Sequence, residues 1–184
     1  MSTPLHLTTE RLEIRDFLES DFGATHAWAS DPEVTNFLSW GPNSESETRA
    51  YLDAARADRQ IDPRRDYRLA LVDRESRIPL GLGVLLAREP EQWELGYCLA
   101  REAWGRGLAT EASRALLVFA FETLQAHRII GRVDPRNPAS AKVLTNLGFR
   151  REGHFVQDVK KYGEWRDTVM FGLLAEEFQP GVHP

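Results

Sequence analysis

Three groups of residues in this sequence have the types and spacing for chemistry. The first is the run Trp104-Gly105-Arg106-Gly107-Leu108-Ala109, set between an alternating apolar stretch, Trp93 to Leu99, and a long apolar run ending near Leu124. That order reads as strand, glycine loop, helix. Glycine lets a backbone turn tightly or approach a ligand closely, and the first turn of a helix offers unpaired N–H groups at the positive end of its dipole. Such a loop either cradles a phosphate or pyrophosphate or is a plain strand-to-helix turn with incidental glycines. The second group is carboxylates able to take a proton: Glu94 in the strand before the loop, and Glu152, Asp158 and Asp167 near the end of the chain. The third is Cys98, a possible nucleophile. No histidine accompanies it in sequence, and a lone strand cysteine is usually packing; His127 and His154 also read as structural.

The anion classes that use glycine loops can be separated by the residues after the last glycine. A P-loop needs a lysine and a hydroxyl there, and Leu108 and Ala109 stand instead. A dinucleotide fingerprint needs a third small residue three positions after Gly107, where Thr110 is found, and it comes after the first strand rather than one past mid-chain. Both are disfavoured. Composition narrows the partners. A net charge of −5 argues against a dedicated nucleic-acid binder and is weakly compatible with a cationic substrate. With one cysteine, no internal disulfide forms and a reducing compartment is expected. Residues 1–16 lack a signal-peptide apolar run, and no stretch reaches the roughly 18 apolar residues of a membrane span. A cytoplasmic protein is expected, with the 184 residues forming a single domain over 1–184.

The elements that must position these groups can be read from periodicity. Glu10 to Phe17 alternates as a strand, and Ser20 or Asp21 caps a helix that Asp31-Pro32 ends. Phe37 to Pro42 forms a loop rich in aromatic surface; Ser44 and Glu47 make a capping box for a helix bearing Tyr51, Leu52 and Ala55. Asp58 to Arg65 is a loop. Tyr67 to Val72 and Ile78 to Leu86 make a hairpin. After it come the strand Trp93 to Leu99, a helix from about Leu108 to Gln125 and the strand Ile129 to Val133. That strand–helix–strand unit implies a parallel, right-handed crossover. Asn137 at the N-cap and Pro138 at the first position start another helix, Gly148 ends it, and Phe149 to Leu174 is a hairpin around Gly163.

At this point the sequence resembles the GNAT superfamily of acyl-CoA-dependent N-acetyltransferases. Trp104-Gly105-Arg106-Gly107-Leu108-Ala109 matches the last two fixed positions of the family loop (Gln/Arg)-x-x-Gly-x-(Gly/Ala), and Trp104 departs from the first. Asn137-x-x-Ser140 and Leu147-Gly148-Phe149 resemble the helix flanking the pantetheine arm. Thr9-Glu10-Arg11-Leu12, Glu94-Leu95-Gly96-Tyr97 and Asp167 are similar to the branch containing the ribosomal-protein N-terminal acetyltransferases, over about residues 8 to 178.

The resemblance implies an α/β fold: a central mixed sheet of about seven strands, splayed between strands 4 and 5, with about four flanking helices. It implies acetyl transfer from acetyl-CoA, with no metal, to a primary amine (a protein N-terminus or a small amine) by direct attack in a ternary complex. A non-catalytic acyl-CoA-binding module of the same fold is the alternative, and homodimers are common among relatives. The diphosphate falls to backbone N–H groups around Gly105, Gly107, Leu108 and Ala109, with Arg106 adding a charge and Trp104 beside them. The arm pairs with the exposed strand edge near Tyr97 and Leu99, and with Asn137 and Ser140. An N–H near Leu95 to Tyr97 polarises the thioester carbonyl. Glu94 takes the ammonium proton, with Glu152, Asp158 and Asp167 in reserve. Many relatives carry a tyrosine seven residues after the asparagine to protonate the thiolate. Leu144 stands there, which leaves Ser140, or a thiolate near pKa 8.5 that departs unaided.

Overall fold

A computed structural model describes residues 4–181. One eight-stranded sheet carries the fold, in the order β1-β2-β3-β4-β5-β6-β8-β7. Its strands are β1 (His6–Thr8), β2 (Leu12–Asp16), β3 (Asp66–Asp73), β4 (Pro79–Glu89), β5 (Gln92–Leu99), β6 (Arg128–Val133), β7 (Arg150–Lys161) and β8 (Glu164–Leu174). The helices are α1 (Phe22–Ala29), α2 (Pro32–Thr35), α3 (Glu45–Asp58), α4 (Leu108–Val118) and α5 (Pro138–Asn146). Every contact between neighbouring strands is antiparallel except β5 with β6. The mixed α/β architecture is the expected one. Its extra strand is the three-residue β1, too short to show alternation, so the parallel pair falls between the fifth and sixth strands. Its extra helix is the single turn α2.

Alternation sorts the side chains into two cores. Leu12, Ile14, Leu69, Leu71, Leu85, Trp93, Leu95 and Ile129 meet α4 and α5 on one face through Leu108, Ala112, Leu116 and Leu144. Ala70, Val72, Leu82 and Cys98 meet α1, α2 and α3 on the other through Trp28, Val34, Leu52 and Ala55. The β5 rungs run unbroken from Gly81↔Leu99 to Ala87↔Trp93, and the irregularity sits at Ala87/Glu89. No bulge interrupts β5, so Leu95 and Glu94 keep the opposite faces that simple alternation assigns.

The helix ends explain most of the local folding. Ser44 and Glu47 form the capping box of α3. Asn137 Oδ1 accepts from Ser140 N at 3.1 Å, with Pro138 in the first turn of α5. Gly148 takes φ +91° past its end. Asp21 stands at the N-cap of α1 but its side chain makes no capping bond, because its carboxylate is engaged by Nη1 and Nη2 of Arg15 (2.7 and 2.9 Å) and by Leu18 N. Asp31 does more than end α1: its Oδ1 accepts from Glu33 N and starts α2. The long helix also stops short, as α4 gives way after Val118 to one π turn over Phe119–Thr123. No helix among the described residues is long and apolar enough to cross a membrane.

Candidate functional site

β5 and β6 pair over only three rungs, Gln92↔Arg128, Trp93↔Ile129 and Glu94↔Ile130. Beyond Glu94 they part. Leu95 to Leu99 stays bonded to β4, and Gly131 to Val133 to β8. A wedge therefore opens between two parallel strands toward their carboxyl ends, where open α/β sheets bind ligands. The chain leaving β5 forms the glycine loop and α4, and the chain leaving β6 turns through Asp134 to Asn137 into α5. Two helix N-termini thus stand at the mouth of one wedge.

The loop's backbone is built by its glycines. Gly105 has φ +70° and Gly107, the N-cap of α4, φ +76° and ψ 1°. A Cβ at Gly105 would meet nothing within 4 Å, so glycine serves the positive φ there rather than a close packing contact. Trp104 turns its indole N–H onto Leu99 O at 2.7 Å and so fastens the loop to the end of β5. Leu108 and Leu99 are buried in the core; what they can offer a ligand is backbone. Arg106 is half exposed, with its guanidinium 3.9 Å from Asp73.

A brace that sequence reading missed holds the loop from outside. The Glu111 carboxylate, in the first turn of α4, accepts from Thr9 Oγ1 (2.6 Å), Arg11 N (2.8 Å) and Arg11 Nε (2.7 Å). Arg11 Nη1 also donates to the loop carbonyl of Arg106 at 2.7 Å. Partial burial pushes the Glu111 carboxyl up, but these hydrogen bonds outweigh it and leave it below its ordinary value. Arg74 fixes the turn before β2 by donating to Thr9 O and Glu10 O.

Two site residues far apart in sequence meet at the wedge. Tyr97 of β5 donates to Ser140 O at 3.0 Å, and its oxygen lies 3.0 Å from Ser140 Oγ. Burial pushes the phenol up to about 12 against the opposing pull of Ser140, so it stays protonated. With that single proton committed to the carbonyl, the Ser140 hydroxyl is the donor in the second contact. Leu144, on the same helix, is buried against β6; a Cβ at Gly131 would lie 2.7 Å from Leu144 Cδ1. That close approach seats α5, and with it Ser140, on the sheet.

The carboxylates separate by position. Glu94 occupies the last shared rung, at the apex of the wedge, and is paired with Arg88 through Nε and Nη2, both at 2.7 Å. Glu152 is paired with Arg128 across Gly172, whose missing side chain leaves room for the carboxylate. Asp158 is paired with Arg132. Asp167 accepts from Gln157 N at 2.9 Å and meets His154 Nε2 at 2.7 Å, pinning a bulge where β7 loses register between Phe155 and Val159. Cys98 is buried, and burial pushes its thiol up to about 12; it is a core residue.

On the face opposite α4, the β7–β8 hairpin grips the loop after α2. Lys161, 6% exposed, gives Nζ to the carbonyls of Thr35, Leu38 (2.7 Å) and Trp40 (2.9 Å). Tyr162 Oη donates to Gly41 O and Arg166 Nη1 to Asn36 O. Trp40 packs against Trp28 and Tyr51. Beside the end of β6 lies a cleft of about 270 Å³ lined by Asp134, Arg136, Glu164, Trp165 and Arg166.

Comparison with known proteins agrees with this geometry. An acetyltransferase (GNAT) domain model matches residues 11–150. The chain is 32% identical over 175 residues to the uncharacterized N-acetyltransferase p20 of Bacillus licheniformis, covering 94% of this chain and 97% of p20. It is 34% identical over 87 residues to the [ribosomal protein uS5]-alanine N-acetyltransferase of Escherichia coli, covering 47% and 45% of the two chains. A GNAT-family acetyltransferase structure from Bacillus anthracis aligns with a TM-score of 0.83 at 28% identity, covering 94% of this chain and all of that one. The fold is also that of a spermidine N-acetyltransferase from Vibrio cholerae in complex with CoA and spermine, with a TM-score of 0.78, 21% identity and coverage of 92% and 98%.

Proposed function

Because this chain belongs to the GNAT family and is an acetyl-CoA-dependent N-acetyltransferase, we propose that it acetylates the α-amine of a protein or peptide N-terminus by direct attack within a ternary complex. The wedge carries this reading: it is closed at Glu94, and Gly105, Gly107 and Ser140 stand at its mouth. Acetyl-CoA supplies the activated acyl group as a thioester. The loop N–H groups from Gly105 to Ala109 hold its diphosphate, with the helix dipole adding about 0.3–1 kcal/mol. The edge of β5 beyond Glu94, no longer paired with β6, receives the arm alongside Tyr97 and Leu99. An N–H of that edge stabilises the charge that builds on the thioester oxygen.

Glu94 takes the proton of the incoming ammonium, directly or through water, at the apex where β5 and β6 last touch. Arg88 holds its carboxylate in place. Ser140, whose hydroxyl donates to Tyr97 Oη in the resting site, turns its one proton to the departing sulfur as the thiolate forms. Asn137 serves first as the cap of α5.

An N-terminus is favoured over a polyamine by charge. Glu94, Asp134 and Asp158 are each matched by a cation of the protein itself, Arg88, Arg136 and Arg132, and Asp167 is held by Gln157 N and His154 Nε2. The cleft beside β6 sets two arginines, Arg136 and Arg166, among its three acids, Asp134, Glu164 and Asp167. A ligand carrying several ammonium groups would have to displace these partners, whereas a single α-amine needs one base. The test is release of free thiol from acetyl-CoA with a panel of N-terminal peptides, spermidine and aminoglycosides. Turnover with peptides exceeding that with spermidine supports the reading. Turnover with spermidine and none with any peptide overturns it.

A further inference from the structure

We infer that Thr9, Arg11 and Glu111 form a positioning brace that presets the glycine loop for the diphosphate of the acyl donor; this rests on the loop reading above. Three observations carry it. First, Arg11 Nη1 takes the carbonyl of Arg106 at 2.7 Å. In a trans peptide the carbonyl and the following N–H point in opposite directions, so this contact aims the Gly107 N–H away from Arg11 and toward the opposite side of the loop. Second, Arg11 Nη2 lies 3.6 Å from where a Cβ of Gly107 would stand. The guanidinium therefore backs the loop at the residue whose φ of +76° sets the start of α4.

Third, Glu111 is a fixed anion in the first turn of α4. An acid there stabilises the helix when no ligand is bound, but it opposes a diphosphate at the same N-terminus. Thr9 Oγ1, Arg11 N and Arg11 Nε occupy both carboxylate oxygens. They hold the group against the turn before β2, and the Arg11 guanidinium balances its charge. The N-terminal Thr9-Glu10-Arg11-Leu12 segment thereby acquires a task at the donor site, although it lies 100 positions away in sequence.

Arg11 and Glu111 act through the loop rather than on the reacting atoms, so the test must read the diphosphate specifically. Acetyl-CoA and S-acetylpantetheine carry the same thioester, but only the first has a diphosphate. We expect Arg11→Met to lower kcat/KM for acetyl-CoA at least about tenfold, the loss of one charge-assisted contact, and to leave kcat/KM for S-acetylpantetheine within about twofold. Arg11→Lys, which keeps the charge but cannot bridge Glu111 and the Arg106 carbonyl together, recovers only part of the loss. Glu111→Gln, a milder change, should lower acetyl-CoA selectivity in the same direction, and Arg11→Met/Glu111→Gln should cost no more than Arg11→Met alone. Equal losses for both donors in these variants, or strictly additive losses, overturn the brace. A wild-type protein that shows no preference for acetyl-CoA over S-acetylpantetheine overturns instead the loop reading beneath it.

Discussion

Replacing Gly107 separates backbone strain from charge at the donor loop. The residue sits at φ +76° and ψ 1°, in the left-handed region, where an L side chain costs about 1–2 kcal/mol and Asn or Asp least. A Cβ there meets only Arg11 Nη2, at 3.6 Å, an ordinary contact. Gly107→Asn and Gly107→Asp should therefore both fold, each losing about 1 kcal/mol of stability. They differ in one negative charge. A carboxylate about 6 Å from a bound phosphate, at an effective dielectric of about 20, opposes it by about 3 kcal/mol. Arg11 neutralises part of that. Calorimetric titration with CoA should give Gly107→Asp a Kd about tenfold to a hundredfold weaker than Gly107→Asn. The two thermal melts should coincide within a few degrees. Equal affinities of the Asn and Asp variants would show that no anion rests on this loop.

Other outcomes rest on the same geometry. Glu94→Gln should lower turnover most below about pH 8, where an α-amine is still protonated, and leave CoA affinity unchanged; an unaltered pH–rate profile removes Glu94 as the base. Burial, reinforced by Arg166, lowers the Lys161 ammonium from 10.5 to about 8. Its cost to stability is thus full below about pH 8 and relieved as pH rises toward the unfolded value, where the unfolded chain binds the extra proton. Urea titrations at pH 7, 8 and 9 should move in favour of the wild type over Lys161→Met as pH rises, and a constant or falling difference refutes this. Lys161→Met should also speed amide hydrogen exchange across the Thr35 to Trp40 loop, whose carbonyls Lys161 holds, while sparing CoA affinity. Because Cys98 is buried and its thiol pushed up to about 12, Cys98→Ala should keep turnover within about threefold; its abolition would revive an acyl-cysteine route.

Local signals were legible wherever a residue acts on its near neighbours. Ser44 with Glu47, Asn137 with Pro138, and Gly148 marked helix ends that formed as their chemistry requires. Alternation placed Leu95 and Glu94 on opposite faces of β5. Sequence spacing failed where the partner is distant or competes. Asp21 takes the N-cap position of α1, yet Arg15, six positions earlier on β2, claims its carboxylate. The helix from Leu108 read as continuous because its apolar residues persist, but the backbone slips into a π turn at Phe119. At the site, the glycine loop was readable, since positive φ favours glycine. The brace on Glu111, the Arg88–Glu94 pair and the grip of Lys161 on three carbonyls were not, because each depends on which strands lie side by side. Trp104 departs from the family loop pattern, and its indole is spent on fastening the loop to Leu99.

The central claim is that the wedge between β5 and β6 takes the acyl donor, with its diphosphate on the glycine loop. Backbone amide shifts read this residue by residue. On titration with CoA, the amides of Gly105, Arg106, Gly107, Leu108 and Ala109, together with those of Leu95 to Leu99 and Ser140, should move furthest and saturate together. CoA that binds while these amides stay still, or no binding at millimolar CoA, would contradict the claim.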